Sequence, residues 1–239
     1  MLKNIFKKEK KMRINCISTG SSGNLYELLD SKGNSMILEA GEPRHKYMKH
    51  REATIAPEMV IISHSHGDHS FYANQYEMMC TVHRWKQRAE STNFKAFGFE
   101  VVHGDVLNYA YLIKFLEDDR FLFFATDLEY EEESLQPIIK ALKFHKVENF
   151  LIECNYNDYL YHLAEKEQRI GCDRHFSDND LIRFIKKVGA KEPKIITIHG
   201  SNRLSGDSYT KKMIKGRIPN ATVAVSVGAK NGVKNLFKL

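Results

Sequence analysis

Short apolar runs separated by polar turns dominate the first half of this chain. Arg13 to Ser18 and Leu25 to Leu29 are strand-like. They flank Thr19-Gly20-Ser21-Ser22-Gly23-Asn24, whose glycines and small polar residues predict a tight turn. Ser35 to Glu39 predicts another strand, followed by Ala40-Gly41. Met59-Val60-Ile61-Ile62 is short, rich in β-branched residues and bounded by Pro57, the pattern of a buried strand. Thr81 to His83, Phe99 to His103, Tyr109 to Leu116 and Arg120 to Ala125 extend the series, with Asp118-Asp119 as a hairpin turn. Helical spacing comes later. Leu135, Ile138, Ile139 and Leu142 line one face of Glu131 to Phe144. Ser177 to Val188 carries Ser177 as N-cap, Asp180 three residues on, and Leu181, Ile182 and Ile185 as its apolar face. Asn149 to Glu153, Lys194 to Ile198 and Ala221 to Val227 add strands. This α/β (α+β) mixture suits two sheets packed face to face with helices outside.

Composition narrows the class. At 239 residues and 42% hydrophobic, the chain suits one globular domain. No apolar stretch approaches the roughly 18 residues of a membrane helix. Residues 1–11 hold five lysines and no apolar h-region, so they predict a basic extension rather than a secretion signal, with a catalytic domain over 12–239. Cys16, Cys80, Cys154 and Cys172 form no C-x-x-C pair and predict buried free thiols in a reducing cytoplasm. The net charge of +6 suits a polyanionic partner, but five of the lysines sit in the extension and the folded body is nearly balanced.

The chemistry begins directly after Ile62, where His64, His66, Asp68 and His69 spell H-x-H-x-D-H. Imidazole and carboxylate are the ligands that zinc, manganese and iron prefer. In a loop at a strand end, His64 and His66 would face one metal while Asp68 and His69 face a second. Two metals roughly 3.5–4 Å apart can clamp a phosphoryl group and ionise a water between them.

This motif after an apolar strand resembles that of the metallo-β-lactamase fold hydrolases. Supporting stretches follow in order: Val101-Val102-His103-Gly104-Asp105, then Thr126-Asp127 after a buried strand, then His199 after Lys194 to Ile198. Thr19 to Asn24, Glu153-Cys154-Asn155-Tyr156-Asn157 and His175-Phe176-Ser177 further resemble the YycJ/WalJ-like subgroup, which is similar to ribonuclease Z in its catalytic plan. The resemblance implies a four-layer αββα sandwich with metals at the strand ends. It implies one metal held by His64, His66 and His103, a second by Asp68, His69 and His199, and Asp127 bridging them. It also implies that Glu153 and His175 handle the leaving group, so that Asp68, Glu153 and His175 are the catalytic candidates. Three positions depart from the pattern: Glu39 where many relatives have Asp, Ser70-Phe71-Tyr72-Ala73 where a Gly is usual, and Arg174 where Gly precedes the histidine. Glu39 is expected to orient a ligand, and the bulkier loop at Phe71 to reshape the cleft.

The expected function is a binuclear metal-dependent phosphodiesterase or nuclease that attacks phosphorus with a metal-bridging hydroxide, using two divalent metals: zinc or manganese, or iron. Arg174 and Arg203 are candidates to hold phosphates. Tyr156, Tyr159 and Tyr161 either stack on a nucleotide or serve packing. The expected partner is nucleic acid or a nucleotide rather than a membrane, with homodimerisation left open. Alternatives on the same site are a cyclic or small-nucleotide phosphodiesterase and a thioester or lactone hydrolase; a metal-binding module without activity is a fourth reading. His45, His50, His83, His145 and His162 fall outside the pattern.

Overall fold

The computed structural model describes residues 11–201, 203–226 and 236–239. Of the basic extension expected at 1–11, only Lys11 falls among them. Thirteen strands among the described residues form two sheets. The first holds β1 (Arg13–Ser18), β2 (Leu25–Leu29), β3 (Ser35–Leu38), β4 (Met59–Ile62), β5 (Thr81–Arg84) and the last strand, Leu236–Lys238. The second holds β6 (Arg88–Glu90), β7 (Phe94–Val101), β8 (Asn108–Phe115), β9 (Arg120–Ala125), β10 (Asn149–Glu153), β11 (Lys194–Ile198) and β12 (Thr222–Val225). With Leu236–Lys238 as β13, the first sheet runs β13-β1-β2-β3-β4-β5 and the second β12-β11-β10-β9-β8-β7-β6.

Strand direction decides where the site falls. The pairs β3–β4 and β4–β5 are parallel, and β1 and β3 both run antiparallel to β2. In the second sheet β9 to β12 are parallel, and β7 and β9 both run antiparallel to β8. The C-terminal ends of β1, β3 and β4 therefore share one edge, as do those of β7, β9, β10 and β11. The stretches singled out for chemistry begin at the ends of these strands, except His175-Phe176-Ser177, which follows two short helices and the 3-10 turn Cys172–Arg174.

The apolar runs explain the layers. Strands β2 and β3 are buried throughout, as befits strands covered on both faces. Between the sheets pack Ile14, Leu28, Leu38 and Ile61 against Ile113, Phe124, Leu151 and Ile196. Outside the second sheet, Phe123, Phe150 and Ile195 pack on Ile138, Leu142, Leu181, Ile185 and Ile214. These belong to the helices Glu132–Phe144, Asp178–Val188 and Asp207–Arg217. Outside the first sheet, Ile37, Val60 and Ile62 meet Tyr47 of Arg44–His50 and Tyr76 of Ala73–Tyr76. The result is the αββα sandwich that the motifs imply. No helix among the described residues is long and apolar enough to cross a membrane.

Most expected strands stand within a residue or two of their boundaries. Strand β7 starts five residues earlier than the apolar pattern suggests. Gly98 interrupts that pattern, but a Cβ there would lie 3.1 Å from the rings of both Tyr109 and Tyr111, so the glycine lets the next strand's aromatics close in. Ser177 caps the helix Asp178–Val188 in a full capping box with Asp180. All four cysteines are free, with Cys80 half-buried where a buried thiol is expected.

Candidate metal centre

Seven residues from four loops converge at the shared edge. His64 and His66 follow β4 directly; Asp68 and His69 sit on a single helical turn, Gly67–Ser70, where a loop is expected. His103 follows β7, Asp127 follows β9 and His199 follows β11. The donor atoms of His64, His66, His103 and Asp127 lie within 4.8 Å of one another, as do those of Asp68, His69 and His199. Asp127 stands between the two groups. Its Oδ2 is 3.3 Å from His64 Nε2, 3.3 Å from His69 Nε2 and 3.5 Å from His103 Nε2, and its Oδ1 is 3.3 Å from His199 Nδ1. Asp68 Oδ2 lies 3.2 Å from His69 Nε2 and 3.5 Å from His199 Nε2.

These atoms fit cations. Ligands held about 2.0–2.2 Å from a tetrahedral ion stand about 3.3–3.6 Å apart, close to these spacings. His64 Nε2 and His66 Nδ1 face each other at 3.0 Å, two ring nitrogens that a cation between their lone pairs satisfies together. The outward nitrogens are fixed by the protein: His64 Nδ1 meets Ser63 Oγ at 2.9 Å, and His103 Nδ1 meets the Arg174 carbonyl at 3.2 Å. His69 Nδ1 faces Glu39 Oε2 at 3.5 Å without hydrogen-bond geometry, and Glu39 also accepts from the Ser63 backbone N–H. Glu39 thus stands behind a ligand, in the place expected of the usual Asp.

Charge follows the same plan. Burial disfavours the Asp127 carboxylate, yet the His199 and His69 charges hold its pKa well below the usual range. Burial opposes the His69 charge, but Asp127 and Glu39 push its pKa well above the ordinary value. Burial lowers His103 to about 4. The opposite shifts of His69 and Asp127 show that this buried cluster favours a positive charge beside its carboxylates, which a bound metal ion would supply.

Two of the seven residues occupy left-handed backbone that only glycine adopts freely: Asp127 at φ 55° and His199 at φ 54°. Polar side chains clamp both, with Glu153, Asn108 and Asn155 buried and Thr19 half-buried. The Asp127 N–H donates to Glu153 Oε2, and its carbonyl accepts from Asn108 Nδ2 at 2.7 Å. The His199 N–H donates to Thr19 Oγ1 at 2.8 Å, and its carbonyl accepts from Asn155 Nδ2 at 2.8 Å. Asn24 reaches from the first turn to within 3.1 Å of His69 Nε2 and 3.3 Å of Asp68 Oδ2. None of Thr19, Asn24, Asn108 or Asn155 stands out in sequence as a site residue. The only signal is that three of them fall in the stretches that carry the family resemblance.

Glu153 and His175 sit beside the ligands. Glu153 is fully buried; its Oε1 accepts from His175 Nδ1 at 2.9 Å and from the Phe176 N–H at 3.0 Å. His175 stacks on His199, with ring centroids 5.4 Å apart, and its Nδ1 lies 3.9 Å from Asp127 Oδ1. Burial works against its charge, but Glu153 raises its pKa to about 9. A cavity of about 320 Å³ opens from His175 and His199 towards Arg203. The Arg174 guanidinium lies over Gly104, next to His103. The tyrosines divide: Tyr156 is buried with Cys172 and Leu204, Tyr161 packs on it and donates to Asp173 Oδ1 at 2.7 Å, and Tyr159 is exposed. Phe71 is 74% exposed, just past the turn that carries Asp68.

No family model matches the sequence, and no curated protein matches it by sequence. Solved structures match almost the whole chain. The metallo-beta-lactamase fold protein YhfI from Bacillus subtilis superposes with a TM-score of 0.71 at 13% identity, covering 95% of this chain and 99% of the other. Unliganded yeast PDE1 gives 0.70 at 10% identity, covering 96% and 99%. Human tRNase Z, short form, gives 0.63 at 12% identity, covering 95% and 99%. By fold, then, this chain is a metallo-β-lactamase fold protein, and its strand-end edge carries a histidine and aspartate cluster able to bind metal ions.

Proposed function

We propose that the chain is a two-metal phosphodiesterase acting on nucleic acid. The observation that carries this reading is the His175–Glu153 pair, set against the cluster with His175 Nδ1 hydrogen-bonded to Glu153 and 3.9 Å from Asp127 Oδ1. Hydrolysis of an activated ester needs no such group, whereas expulsion of a poor alkoxide from phosphorus needs a proton donor. His64, His66 and His103 would hold one metal, Asp68, His69 and His199 the other, with Asp127 shared. When bound, such ions supply Lewis acidity and an ionised water at neutral pH. His175 donates its proton to the leaving oxygen. Glu153 is a positioning residue that holds the imidazole ring and, through the Asp127 N–H, the shared ligand. Arg174 and Arg203 flank the cleft at His103 and His199, where cations would meet phosphates. The human structural neighbour is a tRNase, in keeping with this substrate class.

A small-nucleotide phosphodiesterase is the second reading, favoured by the size of the 320 Å³ cavity beside His175. Metal-loaded protein assayed on bis-p-nitrophenyl phosphate, DNA, RNA, cyclic nucleotides, thioesters and nitrocefin decides the class. Cleavage of the first three groups with inert thioesters is expected; efficient turnover of thioesters alone would overturn the proposal.

A further inference from the structure

A second cavity, of about 340 Å³, adjoins the cleft and shares Ser21, Gly200 and Ser201 with the one beside His175. Its other walls include Ser22 from the first turn, Thr197 of β11, and Asp207 and Thr210 of the helix Asp207–Arg217. More than half of the lining residues are Ser or Thr. Asp207 is the one charged residue among the described lining, which holds no Lys, Arg or His.

Thr197 marks the cavity as built for a ligand. The residue is 2% exposed, and its hydroxyl has no hydrogen-bond partner among the described residues. A buried hydroxyl left unpaired costs stability, and a valine of the same shape would avoid that cost. Rotation about χ1 exchanges the hydroxyl with the methyl group, so a ligand in the cavity can recruit it.

The lining selects the ligand class. An anion would meet Asp207 and no cation. An apolar ligand would leave the Thr197 hydroxyl unpaired and take the exposed Ser21 and Ser22 out of water. A monatomic cation would leave most of the volume unfilled, since the cavity lies in the size range of small-molecule sites. A neutral group with several hydroxyls satisfies all three conditions. We propose that this cavity binds the sugar of a nucleoside through its hydroxyls. That the sugar belongs to the phosphodiester substrate rests on the function proposed above; the binding itself does not.

Calorimetric titration of the full chain with adenosine tests this, with 2′,3′-dideoxyadenosine as the same base without the diol. Adenosine should bind saturably and the dideoxynucleoside about tenfold more weakly, the loss expected from one or two hydrogen bonds. Thr197→Val should weaken adenosine binding about tenfold while raising the melting temperature of the ligand-free protein, a combination that a hydroxyl serving the fold would not give. Ser22→Leu, on the exposed rim, should block the cavity and abolish binding. Equal binding of the two nucleosides, no saturable binding at millimolar concentration, or an unchanged affinity in Thr197→Val would overturn the proposal. Hydrolysis of bis-p-nitrophenyl phosphate, which carries no sugar, is measured alongside. Adenosine binding without that hydrolysis sinks the functional reading and leaves the cavity; hydrolysis without adenosine binding does the reverse.

Discussion

His175 and Glu153 are joined by one hydrogen bond, yet they are expected to fail differently. Among the described residues the His175 side chain hydrogen-bonds to Glu153, whereas Glu153 also holds the Asp127, Leu128 and Phe176 N–H groups. Removing His175 should leave metal content intact and lower turnover by about 10²–10⁴-fold on a poor leaving group, with a much smaller loss on an activated ester. Glu153→Gln turns an acceptor into an amide whose NH₂ faces backbone donors, so this variant should lose metal as well as rate. Elemental analysis beside kinetics on the two esters separates these outcomes. Equal rate losses on both esters in His175→Ala would refute the proton-donor role.

At the scale of elements, the helical turn Gly67–Ser70 is held by contacts that leave no room for a side chain. Asp68 accepts from the Asn24 N–H at 2.7 Å, and the His69 carbonyl accepts from the Ala40 N–H at 2.7 Å. A Cβ on Gly41 would lie 1.7 Å from the Asp68 carbonyl oxygen and 2.8 Å from the Asn24 nitrogen. Both are backbone atoms, which cannot step aside as a flexible side-chain tip would. Gly41→Ala should therefore destabilise the protein by at least about 3 kcal/mol, the upper end of ordinary overpacking. It should also reduce occupancy of the metal held by Asp68 and His69. Denaturant unfolding and metal analysis check the two effects. Normal stability in this variant would mean that the turn packs less closely on the first loop than these distances require.

For the whole molecule, the seven proposed ligands lie on loops from both sheets, so metal binding would link the halves of the sandwich. Purified protein supplied with zinc and manganese should carry close to two ions per chain. Chelation should lower its melting temperature, since a ligand at about 1,000 times its Kd stabilises the native state by about 4 kcal/mol. Protein that carries no metal and melts unchanged with chelator would sink the binuclear reading. Charge bears on the substrate at the same scale. A polymeric nucleic acid engages several cations, so its affinity should fall steeply as salt rises to physiological strength, and deleting residues 1–11 should weaken it further. A single nucleotide makes one or two phosphate contacts, so a flat salt response with a silent truncation would transfer the proposal to small nucleotides.

The sequence by itself determined most of the strands and the motif. Both are local signals: apolar runs such as Met59–Ile62 bury wherever they fall, and H-x-H-x-D-H brings four donors together within six residues. Elements that bury little left weak signals. The helix Asp207–Arg217 sinks only Thr210 and Ile214, and Arg88–Glu90 sinks only Ala89, so neither shows a periodic apolar face. Only the tertiary structure decided how His103, Asp127 and His199 reach the motif. Their backbone turns are stabilised by partners far along the chain: Glu153 lies 26 residues from Asp127, and Thr19 lies 180 from His199. Left-handed backbone at an aspartate or histidine is unfavourable alone and persists because those long-range hydrogen bonds hold it. No pattern read along the chain could reveal them, because they exist only once both sheets bring their strand ends to one edge.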